Sequence, residues 1–172
     1  MKYFFDSEFL EDGSTIDLIS IAFVAEDGRE YYAVNEDANW FRISHDRWLT
    51  ENVTPHLPEY PNRWKPKAQI AAEVLEFLLA GEGTPELWAY YSAYDHVAYA
   101  QLWGKMIHLP EGLPMYTHDL RSLMDWILPK KLHKDLPKQI EGLHDALEDA
   151  RHLKVRYDWV TSWKPVELVT EF

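Results

Sequence analysis

The hydrophobic positions near the start of the chain follow the two-residue period of β-strands. A buried run, Tyr3-Phe4-Phe5, leads into the acids Asp6 and Glu8, which share one face of the predicted strand. Two further strands are predicted over residues 16–24 and 29–34, and each is separated from its neighbour by a turn containing glycine. Three strands joined by short turns favour an antiparallel meander.

Helical periodicity begins after an irregular stretch. Residues 67–79 carry apolar side chains at helical spacing and are expected to pack on the sheet. A fourth strand is predicted over 86–91, and because it follows a helix, a right-handed crossover and a parallel pairing are expected. A short fifth strand is predicted over 115–117, followed by a helix over 120–127. The sequence therefore predicts an α/β fold with a mixed five-stranded sheet, a three-strand antiparallel meander plus parallel strands, flanked by helices.

The last long helix is predicted to begin at Ala146. Asp145 suits the N-cap position, and Glu148, three residues later, would complete a capping box. This start places Asp149 in the first turn and leaves His144 just outside the helix. The residues expected to face the core are Ala146, Ala150, Leu153, Tyr157 and Val160.

Length and composition indicate one domain over residues 1–172, with a core over about 1–160 and a C-terminal tail at 161–172. Of the 172 residues, 47% are hydrophobic and 27% are charged, which is ordinary for a globular protein. No apolar run approaches the roughly 20 residues that cross a bilayer, and the start of the chain lacks a signal-peptide pattern. We therefore expect a cytoplasmic protein with no membrane partner.

The chain contains no cysteine. Disulfides, thiolate zinc sites and a catalytic cysteine are therefore excluded, and any metal ion must be held by oxygen or imidazole.

The formal net charge of −12 argues against a protein that coats nucleic acid through a general electrostatic field. A local basic segment nevertheless precedes the last helix. It is either a solvated loop or a loop that grips phosphate groups, and Lys138 is its candidate for a substrate contact. The basic residues of the segment are Lys130, Lys131, Lys134 and Lys138.

The irregular stretch from residue 35 to residue 66 is rich in proline and aromatic residues. The aromatic side chains either stack on nucleic-acid bases or pin the segment to the rest of the protein. They are Trp40, Phe41, Trp48, Tyr60 and Trp64.

Four carboxylates and one histidine occupy positions that suit metal-dependent chemistry. Asp6 and Glu8 end the first strand, Asp95 lies near the start of a helix, and His144 precedes Asp149 by five residues. Carboxylates without thiols form a hard oxygen site that suits Mg²⁺ or Mn²⁺, and two divalent ions balance four negative charges. A loop-borne histidine beside a carboxylate held on a first helical turn suits a movable general base next to a rigid ligand.

Each of these patterns is weak alone. With this composition, a random chain shows about one Asp-x-Glu and about 0.6 of a His-x4-Asp, so the matches by themselves decide nothing. The alternatives are solvated acids for Asp6 and Glu8, acids stabilised by a helix N-terminus for Asp95 and Asp149, and a packing residue for His144. The order of the patterns on the predicted elements is what favours a functional site.

In that order the patterns resemble the DEDDh branch of the 3′ to 5′ exonucleases, which includes RNase T, oligoribonuclease and proofreading exonucleases. Asp6-Ser7-Glu8 matches the first motif of the family, Tyr94-Asp95 the second, and the stretch from His144 to Ala150 the third. The resemblance covers about residues 1–160 and implies a ribonuclease H-like fold and 3′ to 5′ exonuclease activity.

More narrowly, residues 4–13, 25–34 and 86–90 are similar to the bacterial polyadenylate-preferring exoribonucleases called RNase AS. This similarity implies a substrate of single-stranded RNA or an RNA 3′ overhang, a preference for adenylate, and a homodimer. One departure concerns Phe9, because the first motif of the wider family usually has threonine or a small residue after the glutamate.

The resemblance also implies roles for the site residues. Asp6 would bridge two Mg²⁺ or Mn²⁺ ions, Glu8 and Asp149 would hold the ion that carries the attacking water, and Asp95 would hold the second ion. His144 would take the proton of that water as a general base. The products would be nucleoside 5′-monophosphates released from a 3′ end.

Phe9 and Leu10 directly follow the first motif, and they either pack the terminal base or belong to the core. Other activities stay open. The same site can act on DNA or on very short oligonucleotides, or the fold can serve as a non-catalytic RNA-binding module. A fourth reading is a structural subunit that joins a complex through residues 163–172.

Overall fold

A six-stranded mixed sheet with helices on both faces forms the computed structural model, which describes residues 1–163. The strand order is β4-β3-β2-β1-β5-β6. The strands are β1 (Lys2–Glu11), β2 (Ile16–Ala25), β3 (Glu30–Asn35), β4 (Trp64–Lys65), β5 (Glu86–Ala89) and β6 (His118–Asp119). The helices are α1 (Trp40–His45), α2 (Arg47–Asn52), α3 (Lys67–Leu79), α4 (Ala93–Ala100), α5 (Leu120–Ile127) and α6 (Ala146–Ser162).

The predicted meander and parallel crossover are both confirmed. β1 pairs antiparallel with β2, and β2 pairs antiparallel with β3. On its other side β1 pairs parallel with β5, which in turn pairs parallel with β6. β1 therefore lies inside the sheet, where its apolar start is expected.

The two faces of β1 are buried under different helices. Tyr3 and Phe5 pack in a cluster with side chains of α3 and α4. Phe4 packs in a cluster with side chains of α5 and α6. Because strand side chains alternate, the face of Phe4 is also the face of Asp6 and Glu8. The acids of β1 are thus directed to the side of the sheet that α6 covers.

Three details of the sheet differ from the prediction. The sheet has six strands, since the two-residue β4 pairs with the end of β3. The last strand lies at residues 118–119 and not at 115–117. β1 continues to Glu11, so Asp6 and Glu8 lie within it and not at its end. The pairing with β2 shifts register between Glu8 and Phe9, and an irregularity of this kind bends a strand and re-aims its side chains.

The helices over 67–79 and 120–127 match the predicted bounds, and α6 begins at the predicted residue. The predicted stripe of α6 is also confirmed, because Ala146, Ala150, Leu153 and Val160 are buried and Tyr157 contacts the Phe4 ring. The tail predicted at 161–172 lies outside the described residues from 164 onward. Within residues 1–163, none of the helices has the length and apolarity that crossing a membrane requires.

The start of α6 is capped by one side chain. The Asp145 carboxylate accepts hydrogen bonds from the backbone N–H groups of Leu147 and Glu148, at 2.9 and 3.2 Å. The other predicted interaction of the capping box, from the Asp145 N–H to the Glu148 carboxylate, is wrong. The Asp145 N–H donates to the Gly142 carbonyl, and the Glu148 carboxylate pairs instead with Arg151 on the outer face of the helix.

This arrangement predicts unequal effects of two substitutions. Asp145→Ala should lower the free energy of unfolding by about 1 kcal/mol, because two helix N–H groups lose their acceptor. Glu148→Ala should cost less, since it removes only a surface ion pair. Urea denaturation of each variant measures the difference.

Asp145→Asn is the control, because it removes the charge but keeps an acceptor oxygen at the cap. Equal destabilisation by Asp145→Ala and Glu148→Ala would show that the full capping box forms in solution.

Candidate active site

Two carboxylates and an imidazole form a compact donor group where β1 meets α6. Glu8, His144 and Asp149 each offer one ligand atom, and these atoms lie within 4.8 Å of one another. Glu8 comes from the α6-facing side of β1 and is only 8% exposed. Asp149 stands in the first turn of α6, and His144 lies two residues before that helix. The structure thus brings together two of the three sequence motifs.

Asp6 and Asp95 complete the acidic cluster. Asp95 is buried in the first turn of α4, and Asp6 lies two residues before Glu8 on β1. Burial raises the pKa of Asp6 well above its usual range, and the charges of Asp95, Glu8, Asp149 and Asp145 raise it further. Asp6 and Asp95 therefore lie close enough to affect the same carboxyl groups, although among the described residues the ligand atoms within 4.8 Å of one another belong to Glu8, His144 and Asp149.

Burial and mutual repulsion also act on the other carboxyl groups. Burial raises the pKa of Glu8 to about 8, and the negative charges of Asp149, Asp95 and Asp145 add to the rise. Burial likewise raises the pKa of Asp149, although hydrogen bonds from Gln139 and His144 oppose the rise. Several carboxylates that resist ionisation together are stabilised by a cation among them, so the donor set fits hard divalent ions.

Ser7 holds Asp95 in place. Asp95 Oδ1 accepts hydrogen bonds from the Ser7 backbone N–H at 3.0 Å and from the Ser7 hydroxyl at 2.6 Å. Burial raises the pKa of Asp95 to about 6, and the two hydrogen bonds from Ser7 limit that rise. Ser7 stands between Asp6 and Glu8 but has the opposite orientation on β1, which explains how it reaches α4. Sequence reasoning placed Ser7 away from both acids and assigned it no role.

The turn before α4 is fixed from the neighbouring strand. The Asp119 carboxylate accepts the Ser92 backbone N–H at 2.7 Å and also caps α5 through the Ser122 N–H at 2.8 Å. One side chain thus sets the start of the helix that carries Asp95.

His144 adopts an uncommon backbone conformation. Its φ is +65°, in the left-handed region that non-glycine residues seldom occupy. The backbone N–H donates to Asp149 Oδ2 at 3.0 Å, so the residue orients a carboxylate of the cluster through its main chain. A residue kept in such a conformation by its surroundings is a frequent feature of functional sites.

The His144 ring packs against Trp48 of α2. The ring centroids are 5.0 Å apart and the planes are inclined by 77°, an edge-to-face contact. Trp48 is half exposed, whereas Trp40 and Trp64 contact each other and donate to backbone carbonyls. Trp40 and Trp64 therefore attach the irregular segment to the rest of the protein, which is one of the two alternatives for its aromatic residues. Trp48 instead contacts the candidate site. Its position alone did not distinguish Trp48 from the others.

Phe9 forms half of a flat aromatic pair beside the carboxylates. Its ring stacks on Tyr94, with centroids 5.7 Å apart and planes inclined by 10°. Tyr94 precedes Asp95 and is half exposed. Sequence reasoning named Phe9 as a candidate substrate contact, whereas Tyr94 was named only as part of the second motif and was given no role of its own.

The other predicted substrate contacts lie apart from the carboxylates. Leu10 is 5% exposed and packs with Ile19, Ile43, Leu49 and Val53, which matches the core alternative for this residue. The basic segment is exposed and contains a short 3-10 helix over Lys130–Asp135. Lys138 follows it and lines an open cavity on the outer side of α6.

The chain has relatives among known proteins. A family model described as the 3′-5′ exoribonuclease Rv2179c-like domain matches residues 1–160. Two Mycobacterium tuberculosis proteins are each 45% identical over 165 residues, which is 94% of this chain and 94% of each relative. They are the 3′-5′ exoribonuclease Rv2179c of strain H37Rv and the 3′-5′ exoribonuclease MT2234.1 of strain CDC 1551.

A solved structure shares the fold at low sequence identity. S. pombe Pop2p in its Mg²⁺- and Mn²⁺-bound form matches with a TM-score of 0.61 and 14% identity, over 94% of this chain and 83% of that chain. The match supports the ribonuclease H-like, mixed α/β architecture expected from the sequence. Since the family model covers most of the chain and the curated relatives match along nearly their whole length, this chain belongs to the Rv2179c-like family of 3′-5′ exoribonucleases.

Proposed function

We propose that the chain is a metal-dependent exoribonuclease of the DEDDh type, which releases nucleoside 5′-monophosphates from RNA 3′ ends. The observation that carries the proposal is the group formed by Glu8, His144 and Asp149, whose donor atoms lie within 4.8 Å of one another. Asp6 and Asp95 add two more carboxylates that repel this group. Such a cluster suits phosphodiester hydrolysis assisted by two ions.

The chain's own residues supply both the ion ligands and their orientation. Asp6, Glu8, Asp95 and Asp149 would hold two Mg²⁺ or Mn²⁺ ions. When bound, these ions stabilise the charge that develops in an in-line displacement at phosphorus. Hydrogen bonds from Ser7 fix one oxygen of Asp95, and the His144 N–H fixes one oxygen of Asp149.

His144 serves as the general base in this proposal. Its ring lies beside the carboxylates of Glu8 and Asp149, and it stands outside the helix on a loop. The edge-to-face contact with Trp48 limits the directions in which the ring can turn. A ring held in this way can accept the proton of the attacking water without leaving the site. The alternative is that His144 is itself a metal ligand.

The stacked pair of Phe9 and Tyr94 would receive the 3′-terminal base. Phe9 directly follows Glu8 and Tyr94 directly precedes Asp95, and the stacked Tyr94 side chain is half exposed. Aromatic faces stack on any base, so they do not explain a choice of adenine. The preference for adenylate is proposed from the resemblance to RNase AS, and the homodimer implied by that resemblance stays a prediction that sedimentation velocity can check.

The competing function is a DNA or short-oligonucleotide exonuclease that uses the same five residues. The curated relatives favour RNA, because both are named exoribonucleases.

One assay tests the proposed function. Purified protein is incubated with poly(A), the other RNA homopolymers and matched DNA, with and without Mg²⁺, and the products are identified by mass. We expect AMP from poly(A) only when Mg²⁺ is present, with slower release from the other polymers. Release of dAMP from DNA at an equal rate would favour the competing function, and absence of any mononucleotide would exclude both.

Metal binding should also stabilise the fold. At about 100 times the Kd, bound ions contribute about 2.7 kcal/mol, which corresponds to an increase of about 5–10 °C in the Tm of a domain of this size. Scanning calorimetry with and without Mg²⁺ or Mn²⁺ measures this increase. Asp6→Asn should raise the Tm of the metal-free protein, because repulsion is relieved, and should remove most of the metal increment. A Tm that is the same with and without Mg²⁺ or Mn²⁺ would count against a metal site.

The burial of Glu8, together with the repulsion, gives the metal-free protein a pH dependence. Glu8 titrates near its ordinary pKa of 4.5 when the chain is unfolded and at about 8 when it is folded. Between these values the folded state binds a proton that the unfolded state does not bind, so stability should fall as the pH rises from about 4.5 to about 8. Urea denaturation at several pH values should show a smaller fall in the Glu8→Gln variant.

Removal of the His144 side chain should change the rate of hydrolysis but not the affinity for metal. His144→Ala is expected to lower the rate of hydrolysis by about 100-fold or more, because the general base is lost. The Kd for Mn²⁺, measured by calorimetry, should change little. His108→Ala, which removes an exposed histidine on the 3-10 helix over Met106–His108, is the control and should leave both quantities unchanged. A parallel loss of rate and Mn²⁺ affinity would make His144 a ligand.

A further inference from the structure

A small cavity lies on the α6 side of the carboxylates. Its volume is about 120 Å³. Asp6 and Asp149 of the acidic cluster contribute to its wall, and the rest of the wall contains nitrogen-bearing side chains that could bind an anion. Those side chains are Gln139, His152 and Arg156.

Arg156 is the cationic side chain in the wall of this cavity, and the structure shows no ion pair for it within residues 1–163. Its single hydrogen bond in this part of the chain runs from Nε to the Pro137 carbonyl at 3.2 Å. The guanidinium lies 5.3 Å from the centroid of the Tyr90 ring, which supports it from one side. Other arginines of the chain are paired with acids, and these are Arg29, Arg42, Arg47, Arg121 and Arg151.

Arg156 nevertheless shares the cavity with two carboxylates. A cation that lines the same space as Asp6 and Asp149 without pairing with either leaves room for a group between them. A phosphate suits this position, since a guanidinium offers donors in a geometry that matches phosphate oxygens.

The cavity continues into a larger one of about 470 Å³ on the outer side of α6. Gln139 and His152 line both cavities, so the two spaces adjoin. The larger cavity contains Arg151, which already pairs with Glu30 and Glu148, and the exposed Lys138. Arg156 and then Lys138 are therefore the cations available along this path.

The site thus has two unlike sides. Phe9 directly follows Glu8 along the chain and Tyr94 directly precedes Asp95, whereas Arg156 shares a cavity wall with Asp6 and Asp149. A strand of RNA whose terminal base occupies the aromatic side must continue away from it, with its remaining phosphates toward positive charge.

We propose that Arg156 binds the first phosphate upstream of the scissile one, and that the RNA strand then follows α6 toward Lys138. This inference rests on the proposed exoribonuclease function. It assigns a direction to the substrate: the 3′ end lies against Phe9 and Tyr94, and the 5′ portion lies along α6. Arg156 acts in binding. Its removal should therefore reduce the affinity for long substrates more than it slows the chemical step.

A purely structural role for Arg156 is the rival explanation. Both Arg156 and His152 contact the Pro137 carbonyl, His152 through Nε2 at 3.1 Å. These contacts tie α6 to the loop that leads to His144. A test must therefore separate contact with RNA from support of this loop.

Ligands of different length make that separation. AMP carries only the phosphate that corresponds to the scissile position, whereas a 5′-labelled pentaadenylate also carries upstream phosphates. Fluorescence anisotropy with Mg²⁺ measures binding of the pentamer in the His144→Ala background, where hydrolysis is slowed, and AMP is added as a competitor. Arg156→Gln in this background should weaken the pentamer about tenfold and leave the affinity for AMP unchanged.

The salt dependence of RNA binding supplies a second measurement. It should not change if the role of Arg156 is purely structural. Removal of one phosphate contact to a single strand should reduce the slope of log affinity against log salt by about 0.7. Arg156→Lys should restore most of this slope, because it keeps the charge. Lys105→Gln, which removes an exposed cation from the loop after α4, is the matched control and should change neither slope nor affinity.

Two outcomes would overturn the proposal. Equal weakening of AMP and the pentamer would place Arg156 at the scissile phosphate. If the slope of log affinity against log salt is unchanged and the Tm is lower, Arg156 only supports the loop. Failure of the proposed function is distinguished from both, because the protein without substitutions would then release no mononucleotide from RNA.

Discussion

The close placement of four carboxylates is the constraint on which this structure depends. Burial and the charges of neighbouring acids raise the pKa values of Asp6 and Glu8, so these carboxyl groups would not gather in a flexible chain. They are held together by elements with a different source of stability. β1 is anchored by aromatic clusters on both faces, and α6 is anchored by its apolar stripe. The hydrophobic core thus maintains an electrostatic arrangement that the acids alone would not adopt.

Much of this arrangement could be predicted, because the determinants are local. Alternation along β1 places Asp6 and Glu8 on one face, and the cap at Asp145 sets the position of Asp149. The length of β1 was not predicted, since the irregularity after Glu8 depends on pairing with β2 and leaves no local pattern. The failed half of the capping box has a similar cause: Arg151 offers Glu148 a charged partner.

The contacts that sequence reasoning missed join residues distant along the chain. Ser7 and Asp95 are 88 residues apart, and Trp48 reaches His144 from a segment without periodicity. Periodicity describes which face a residue occupies, but it does not say which residue of another element it meets. Tyr94 is an intermediate case, because its place beside Asp95 was visible while its stacking partner was not.

The contact of Trp48 with His144 has a consequence for how this enzyme family can diversify. α2 is supported by a small cluster formed with Leu10, Ile19, Ile43 and Val53, which is separate from the clusters that hold the carboxylates. Substitutions at Ile43, Leu49 or Val53, which lie outside the elements that carry the acids, can shift the indole. Sequence changes in α2 can therefore adjust the position of the histidine ring without replacing any of the four carboxylates.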